Sequence, residues 1–371
     1  MSVYNAASAL TDILYKIRNS SLVDIDRGAE SNNIFFPEGI YVLNAKRDTK
    51  YAQTEQNLFE DTIFIFTQQW VGIRQACGAF PVSKLAIDGH HRWTAADIIG
   101  ICKILERDGI RRIVSHGMAP TTASLLSGIK SYMPEIEILS VWHGTMAGWA
   151  FESELRLFQE VIALAEKNVI KRIGFLRRGM GAIHRAGWNS LLFNVPPMID
   201  IKRVSKAFEQ KPITCLFGSW NNQWKNMYTN IVGATLSRNV SEVLCYQPVN
   251  GQIVSKVSKV GHENFDEHMI RLSLVDLSLN VSINDCQPMT ELESIAVGTP
   301  ALRPNLDQRI MSSSDYDKLF TVDEYLNAES IRDRIDMLCK EDPKYILEVI
   351  ESYRANLIEA SYKAYGDFLN G

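Results

Sequence analysis

Residues 281–300 read VSINDCQPMTELESIAVGTP, and the fold turns on how this stretch is divided. From Leu277 to Ile283 apolar and small polar residues alternate, a strand pattern. A polar loop containing Pro288 follows. From Thr290 the run TELESIAVG has helical spacing and is stopped by Gly298 and Pro300. Thr290 as N-cap, with Glu293 three residues later, fits a capping box. Asp285 and Glu293 frame the loop with seven residues between them. A strand running into a helix N-terminus presents unpaired N–H groups and the positive end of the helix dipole, which suits an anion. Acidic side chains there can instead hold sugar or ribose hydroxyls. An ordinary capped helix after a buried strand explains the same spacing.

The flanking sequence repeats the strand-then-helix rhythm. Strands are expected at Ile213–Gly218, Glu242–Gln247 and Ile253–Val260. Helices are expected at Asn226–Ser237, Phe265–Leu274, Thr290–Val297, Ala328–Cys339 and Lys344–Leu369. An earlier series has strands at Ile34–Phe36 with Ile40–Leu43, Thr62–Phe66, Lys84–Ile87, Ile110–Ser115, Ile136–Trp142 and Arg172–Phe175. Its helices are Thr94–Asp108, Thr121–Tyr132, Glu152–Glu166 and Gly179–Ala186, preceded by an amphipathic helix near the N-terminus. Alternation of this kind implies α/β architecture: parallel sheets with helices on both faces and ligands at the carboxyl ends of the strands. The stretch 194–211, with Pro196, Pro197 and a charged run, separates the series as a linker. Two doubly wound Rossmann-like domains follow, 1–198 and 199–350. Residues 351–371 form a last helix whose apolar stripe is long enough to cross back.

Composition is that of a soluble globular chain, 46% hydrophobic and 22% charged. A net charge of −4 argues against nucleic acid as a partner. Residues 1–198 carry 21 basic and 19 acidic side chains, the remainder 18 and 24. Six scattered cysteines without a CxxC pair predict reduced thiols and no zinc site. No apolar run approaches the roughly 18 residues of a membrane span. The Asp24/Asp26 and Asp315/Asp317 pairs do not sit at strand ends, so no metal is expected there.

Three further groups can carry chemistry. Gly218 ends a strand, and Asn221, Asn222 and Lys225 lie on the loop into the next helix, where N–H donors and a cation could meet phosphate. His116 and His143 each end a strand and precede glycine. The stretch Thr67–Pro81 is expected to be a loop presenting Trp70, Arg74 and Phe80 at the cleft, suited to sugar faces and anionic acceptors. Asp88–Trp93 is a second such loop. The segment from Lys167 to Arg185 holds Lys171, Arg172, Arg177 and Arg178, with no acid from 167 through 199. Such polybasic surfaces attract anionic lipid.

Asp285-x7-Glu293, continued by Ser294-Ile295-Ala296-Val297-Gly298-Thr299-Pro300, resembles the E-x7-E signature of retaining GT-B glycosyltransferases, especially glycosyltransferase family 4. The usual form is E-G-F-G-L-P-x-x-E-A-M-A-x-G-x-P. In this chain Asp replaces the first Glu, and Cys286–Thr290 replaces the G-F-G-L-P core. The loop at Gly218 is similar to the family's V-G-R-x4-K, with Ser219 in the Arg position and Lys225 one residue late. The histidine strands are similar to its D-V-I-H-x-H…V-V-V-T-V-H-G succession, His143 matching the second histidine.

The resemblance implies the two-domain GT-B architecture and transfer of a sugar from a nucleotide diphosphate sugar to a hydroxyl, with retention. Glu293 would hold the donor ribose and Asp285 the donor sugar. Lys225, Gly218, Asn221, Asn222 and the N–H groups of Met289, Thr290 and Glu291 would stabilise the diphosphate. His143 would contact the sugar from the other domain, and Arg74, Trp70 and His116 would serve the acceptor. No cofactor and no metal is expected. The acceptor would be a glycan or a lipid-linked sugar. The setting would be surface polysaccharide or lipopolysaccharide assembly in the cytoplasm, with Lys167–Arg185 against the inner membrane face. A sugar-nucleotide epimerase or phosphorylase on the same scaffold, or a non-catalytic sugar- or nucleotide-binding protein, are the alternatives.

Overall fold

The structure, a computed structural model, describes residues 40–43, 57–183, 190–199, 201, 208–209, 211–220, 223–249, 256–261, 264–305 and 314–371. The N-terminal amphipathic helix, the strand at Ile34–Phe36, Asp24, Asp26, Arg185, Asn221 and Asn222 lie outside them.

The first sheet holds β1 (Ile40–Leu43), β2 (Thr62–Thr67), β3 (Ser83–Ile87), β4 (Arg112–His116), β5 (Glu137–Trp142), β6 (Arg172–Phe175) and β7 (Ser190–Leu191) in the order β1-β3-β2-β4-β5-β6-β7. β1 is antiparallel to β3, and the other pairs are parallel. β2, TIFIFT, is buried at every position, because helices cover both faces of a parallel sheet. The connecting helices are α1 (Val71–Gly78), α2 (Ala95–Arg107), α3 (Thr122–Tyr132) and α4 (Glu152–Glu166). Thr94 and Asp97 close a full capping box at α2, which fixes where that helix starts.

The second sheet holds β8 (Ile213–Phe217), β9 (Val240–Cys245), β10 (Val257–Lys259), β11 (Leu277–Leu279), β12 (Ala301–Pro304) and β13 (Thr321–Val322). Its order is β10-β9-β8-β11-β12-β13, with every pair parallel. That is the doubly wound order 3-2-1-4-5-6, whose crevice opens at the switch point between the paired strands β8 and β11. Around it run α5 (Met227–Leu236), α6 (Phe265–Leu274), α7 (Met289–Val297), α8 (Asp315–Phe320), α9 (Ala328–Leu338) and α10 (Pro343–Asn370).

The 28 residues of α10 serve two cores. Ile346, Val349, Ile350, Tyr353 and Leu357 pack into the second domain. Tyr365, Phe368 and Leu369 pack into the first, beside Phe64 and Phe80. The chain crossing at Asn194 lies beside it, since Ser361 Oγ donates to the Asn194 carbonyl at 3.3 Å.

Several elements differ from the sequence expectation. Thr67–Pro81 is not a loop, because Val71–Gly78 forms α1 and Phe80 is buried in the core. α1 has eight residues, two of them glycine, and no side-chain cap, so it carries little local signal. β11 ends at Leu279 rather than Ile283, because the chain turns inward at Asn280, with Ser282 N–H bonded to the Asn280 carbonyl at 2.8 Å. Of Gly179–Ala186 the described part is a 3₁₀ turn, Met180–Ile183. β7, β12, α8 and β13 are additional to the elements expected from the sequence.

Lys84 is 5% exposed in β3, where its ammonium donates to the carbonyls of Phe80 (2.7 Å) and Val82 (3.0 Å). Burial lowers its pKa from 10.5 to about 8. An unfolded lysine stays protonated up to about 10.4, so the folded state alone releases the proton between these values. Wild-type stability relative to Lys84→Met is therefore expected to rise between pH 8 and 10.5, by about 3 kcal/mol at 1.36 kcal/mol per unit. Urea midpoints of both proteins across that range measure it, and parallel curves would refute it.

Candidate functional site

The crevice at the carboxyl ends of β8 and β11 is lined by Ser219, Lys225, Asn280, Ser282, Asp285, Pro288 and Thr290. Lys225 stands just before Asn226, which adopts the left-handed conformation asparagine tolerates. The Asn226 amide donates to the carbonyls of Val281 (3.1 Å) and Tyr325 (2.7 Å). Asn230 clamps both the N–H and the carbonyl of Val281. These asparagines tie the Lys225 turn to the end of β11. The Lys225 ammonium donates to Asp285 Oδ2. Burial works against its charge, but the Asp285 carboxylate outweighs burial and raises its pKa. Asp285 Oδ1 accepts from the N–H of Cys286 at 3.0 Å.

Glu293 is 1% exposed and not part of a capping box. α7 starts one residue earlier than expected, at Met289, with Pro288 at the N-cap. Glu293 turns instead toward His268, whose Nε2 lies 3.1 Å from Oε2. The Tyr246 hydroxyl lies 2.8 Å from His268 Nδ1. A carboxylate only accepts, so Nε2–H donates to Glu293, and Nδ1 of the neutral imidazole accepts from the Tyr246 hydroxyl. Gly218 lies against this group, since a Cβ there would stand 3.2 Å from His268 Cε1. At this end of the second sheet, three buried side-chain atoms have no partner among the described residues: Glu293 Oε1, Asn280 Oδ1 and Ser282 Oγ. Buried polar atoms left unpaired are costly, and a ligand can satisfy them.

Glu291 is a correction. Its side chain points away from the crevice and accepts from Arg303 at 3.1 Å, where Arg303 also meets Asp317 and the Tyr353 hydroxyl. Its N–H donates to the Pro288 carbonyl at 3.2 Å and is not open to a ligand. The N–H groups of Met289 and Thr290 are the first-turn donors that remain. Asp317 is likewise engaged by Arg303, and Asp315 by Lys318 at 2.8 Å. No cluster suited to a metal occurs among the described residues.

A second group occupies the carboxyl ends of β2, β4 and β5. His116 Nδ1 lies 3.0 Å from His143 Nε2. Burial holds both imidazoles neutral, pulling His143 down to about 3 and His116 well below its usual value. His116 Nε2 is buried without a partner. A bare nitrogen there costs less than an orphaned N–H, which makes His116 Nδ1 the donor and leaves His143 with a donor at Nδ1. Trp70 packs over Gly117, where a Cβ would come within 2.8 Å of the indole. One turn along α1, Arg74 is half-buried with no acidic partner among the described residues, and burial lowers its pKa. α1 lies against α7, with Ala76 in the core of the second domain. The two groups thus face one cleft, which Phe151 and Trp224 bridge edge to face at 5.9 Å.

The basic segment is partly internal. Arg172 bonds Glu137 (3.2 Å) and the Leu369 carbonyl (2.9 Å), and Arg177 bonds Asn284 (3.0 Å). Lys167, Lys171 and Arg178 stay on the surface, with Lys171 paired to Glu137 at 2.6 Å. No described helix is long and apolar enough to cross a membrane. The structure adds Tyr246, His268, Asn280, Ser282 and Arg177 to the residues expected at the site. The alternation in Leu277–Ile283 does mark Asn280 and Ser282, but as strand positions.

No family model matches the chain, and no curated protein matches it in sequence. Among solved structures it is similar to a glycosyltransferase from Rickettsia africae ESF-5, with a TM-score of 0.54, 10% identity, and 84% of this chain and 99% of that one covered. It is similar to a UDP-forming α,α-trehalose-phosphate synthase from Burkholderia xenovorans, in complex with glucose-6-phosphate (TM-score 0.53, 9% identity, 83% and 98% covered). Sucrose-phosphate synthase from Thermosynechococcus elongatus is a third (TM-score 0.53, 11% identity, 83% and 97% covered). The two Rossmann-like domains therefore have the GT-B fold. At these identities the likeness is one of fold and carries no assignment to family 4.

Proposed function

We propose that this protein is a glycosyltransferase of the EC 2.4 class. It moves a sugar from a nucleotide diphosphate sugar to a hydroxyl acceptor, with retention at the anomeric carbon. The observation that carries the reading is the crevice of the second domain. There a lysine–carboxylate pair stands beside three buried polar atoms without partners, at the switch point where such folds hold nucleotides. Glu293 Oε1 accepts from a ribose hydroxyl while His268 holds Oε2. Lys225 and the N–H groups of Met289 and Thr290 stabilise the leaving diphosphate. Asp285 orients the sugar, and Asn280 and Ser282 complete the polar wall. His143 donates from Nδ1 to the sugar. Arg74 and Trp70 receive the acceptor, with His116 supporting His143 from behind. The leaving phosphate helps deprotonate the acceptor hydroxyl on the same face, so no protein nucleophile and no metal is invoked.

Lys225 and Asp285 bond each other, so the incoming diphosphate must take Lys225 from Asp285. Surface polysaccharide or lipopolysaccharide assembly is the setting we favour. The exposed Lys167 supplies what membrane attraction the basic segment retains.

A panel of nucleotide sugars tests the reading. One of them is expected to raise the melting temperature and to give a glycoside of unchanged anomeric configuration by NMR. Glu293→Gln keeps the shape but weakens ribose binding, and donor affinity is expected to fall about tenfold or more, ~1.4 kcal/mol per decade. Unchanged affinity in Glu293→Gln would remove that residue from the donor site. Binding without transfer or hydrolysis would favour a non-catalytic binding protein.

A further inference from the structure

We infer that Arg177 is a positioning residue, a strut from the first domain that sets Asp285 in place across the cleft. The loop Asn284–Gln287 belongs by chain to the second domain, between β11 and α7, yet it is fastened to the first. Arg177, two residues past β6, donates from Nη1 to Asn284 Oδ1 (3.0 Å) and to the Asp285 carbonyl (3.2 Å). The Asn194 N–H donates to Gln287 Oε1 at 2.6 Å. Cys286 packs on the core of the first domain. Asp285 therefore has its carbonyl held from the first domain, while just before it the Ile283 N–H bonds the Trp224 carbonyl at 2.8 Å and its own side chain bonds Lys225, both of the second domain. A rotation of the domains pulls the Asp285 carbonyl against a loop base that stays fixed beside Lys225. Only the orientation that keeps the Arg177 contacts presents the carboxylate to the crevice. Cleft closure and placement of the carboxylate are then one event.

The catalytic part rests on the proposed glycosyltransferase reading; the mechanical part does not. Cys286 reports on the loop, since it is the one cysteine of six that is not fully buried. In Arg177→Met its labelling by a thiol reagent under native conditions is expected to quicken at least tenfold, with one thiol reacting per chain. The kcat for transfer is expected to fall at least tenfold, with the donor KM changing less than threefold. Arg177→Lys, which keeps the charge but not the reach and fixed plane of the guanidinium, is expected to lie between, and it serves if the methionine variant does not fold. Unchanged labelling overturns the inference, as does release of all six thiols together, which would mean general loosening. Quickened labelling with unaltered kcat in an active enzyme also overturns it. Quickened labelling in a protein that turns over no nucleotide sugar supports the strut and counts against the glycosyltransferase reading instead.

Discussion

Asp285→Asn is expected to bind a nucleoside diphosphate more tightly than the wild type and to transfer sugar on the order of 10²–10³ times more slowly. The two effects have one cause. The Asp285 carboxylate holds the Lys225 ammonium, partly buried from water. A hydrogen bond to a charged group contributes roughly 1.5–3 kcal/mol, and a diphosphate has to replace this one. The amide of Asn keeps the shape and removes the charge, so Lys225 meets phosphate without first leaving a carboxylate. Affinity for the nucleoside diphosphate is expected to rise about tenfold, ~1.4 kcal/mol. Transfer still needs the carboxylate to orient the sugar, which an amide does poorly. Titration calorimetry with nucleoside diphosphates, set beside turnover, reads both. A variant that lost diphosphate affinity would show that Asp285 aids binding and does not compete with it. That result would contradict Lys225 as the group that passes from carboxylate to phosphate.

The largest effect on stability is expected from Arg303→Ala. Arg303 lies in β12, 3% exposed, between the carboxylates of Glu291 and Asp317. Its guanidinium sits 5.0 Å from the ring centre of Tyr316 and 5.3 Å from that of Tyr353, and those rings stack at 4.0 Å. Removing the cation strands two buried acids, a loss of about 3–5 kcal/mol. That is a large part of the roughly 5–15 kcal/mol that keeps a native protein folded. Denaturant midpoints are expected to fall accordingly, with donor affinity of the remaining folded protein unchanged, because the cluster faces away from the crevice. Arg303→Ala combined with Glu291→Gln and Asp317→Asn is expected to recover part of the loss. If the triple variant were no better than the single one, the stranded charges would not be the cause.

The central strands are legible in the sequence because a parallel strand buried on both faces must be apolar throughout. Ile63–Phe66, Ile113–Val114 and Leu216–Phe217 could hardly be anything else. The stop of α7 is legible too, since Gly298 has φ of +78°, a conformation glycine adopts freely. β12 is not, because Arg303 and Pro304 look wrong for a buried strand until Glu291 and Asp317 are seen beside them. The pair Glu291 and Glu293 does hold a usable signal. Residues two apart on a helix point about 200° from each other, so both cannot face the crevice. Lys225 and Asp285 stand out because each lies at a strand-to-helix junction. His268 and Tyr246 do not, since they come from α6 and the end of β9 and meet Glu293 only through the tertiary fold. Arg177 looks like surface charge because nothing local says that a basic residue will reach a loop more than a hundred positions away.

The shared helix α10 has a thermodynamic consequence. Two sheets with separate cores would ordinarily melt as two units, each with its own transition. In this chain the apolar stripe of one helix belongs to both cores, from Ile346 to Leu357 on one side and Tyr365 to Leu369 on the other. Unfolding either half strips cover from the other and exposes it to water. The arrangement favours one all-or-none transition in place of two. A core substitution in one domain then lowers the survival of both, including the half that carries no change.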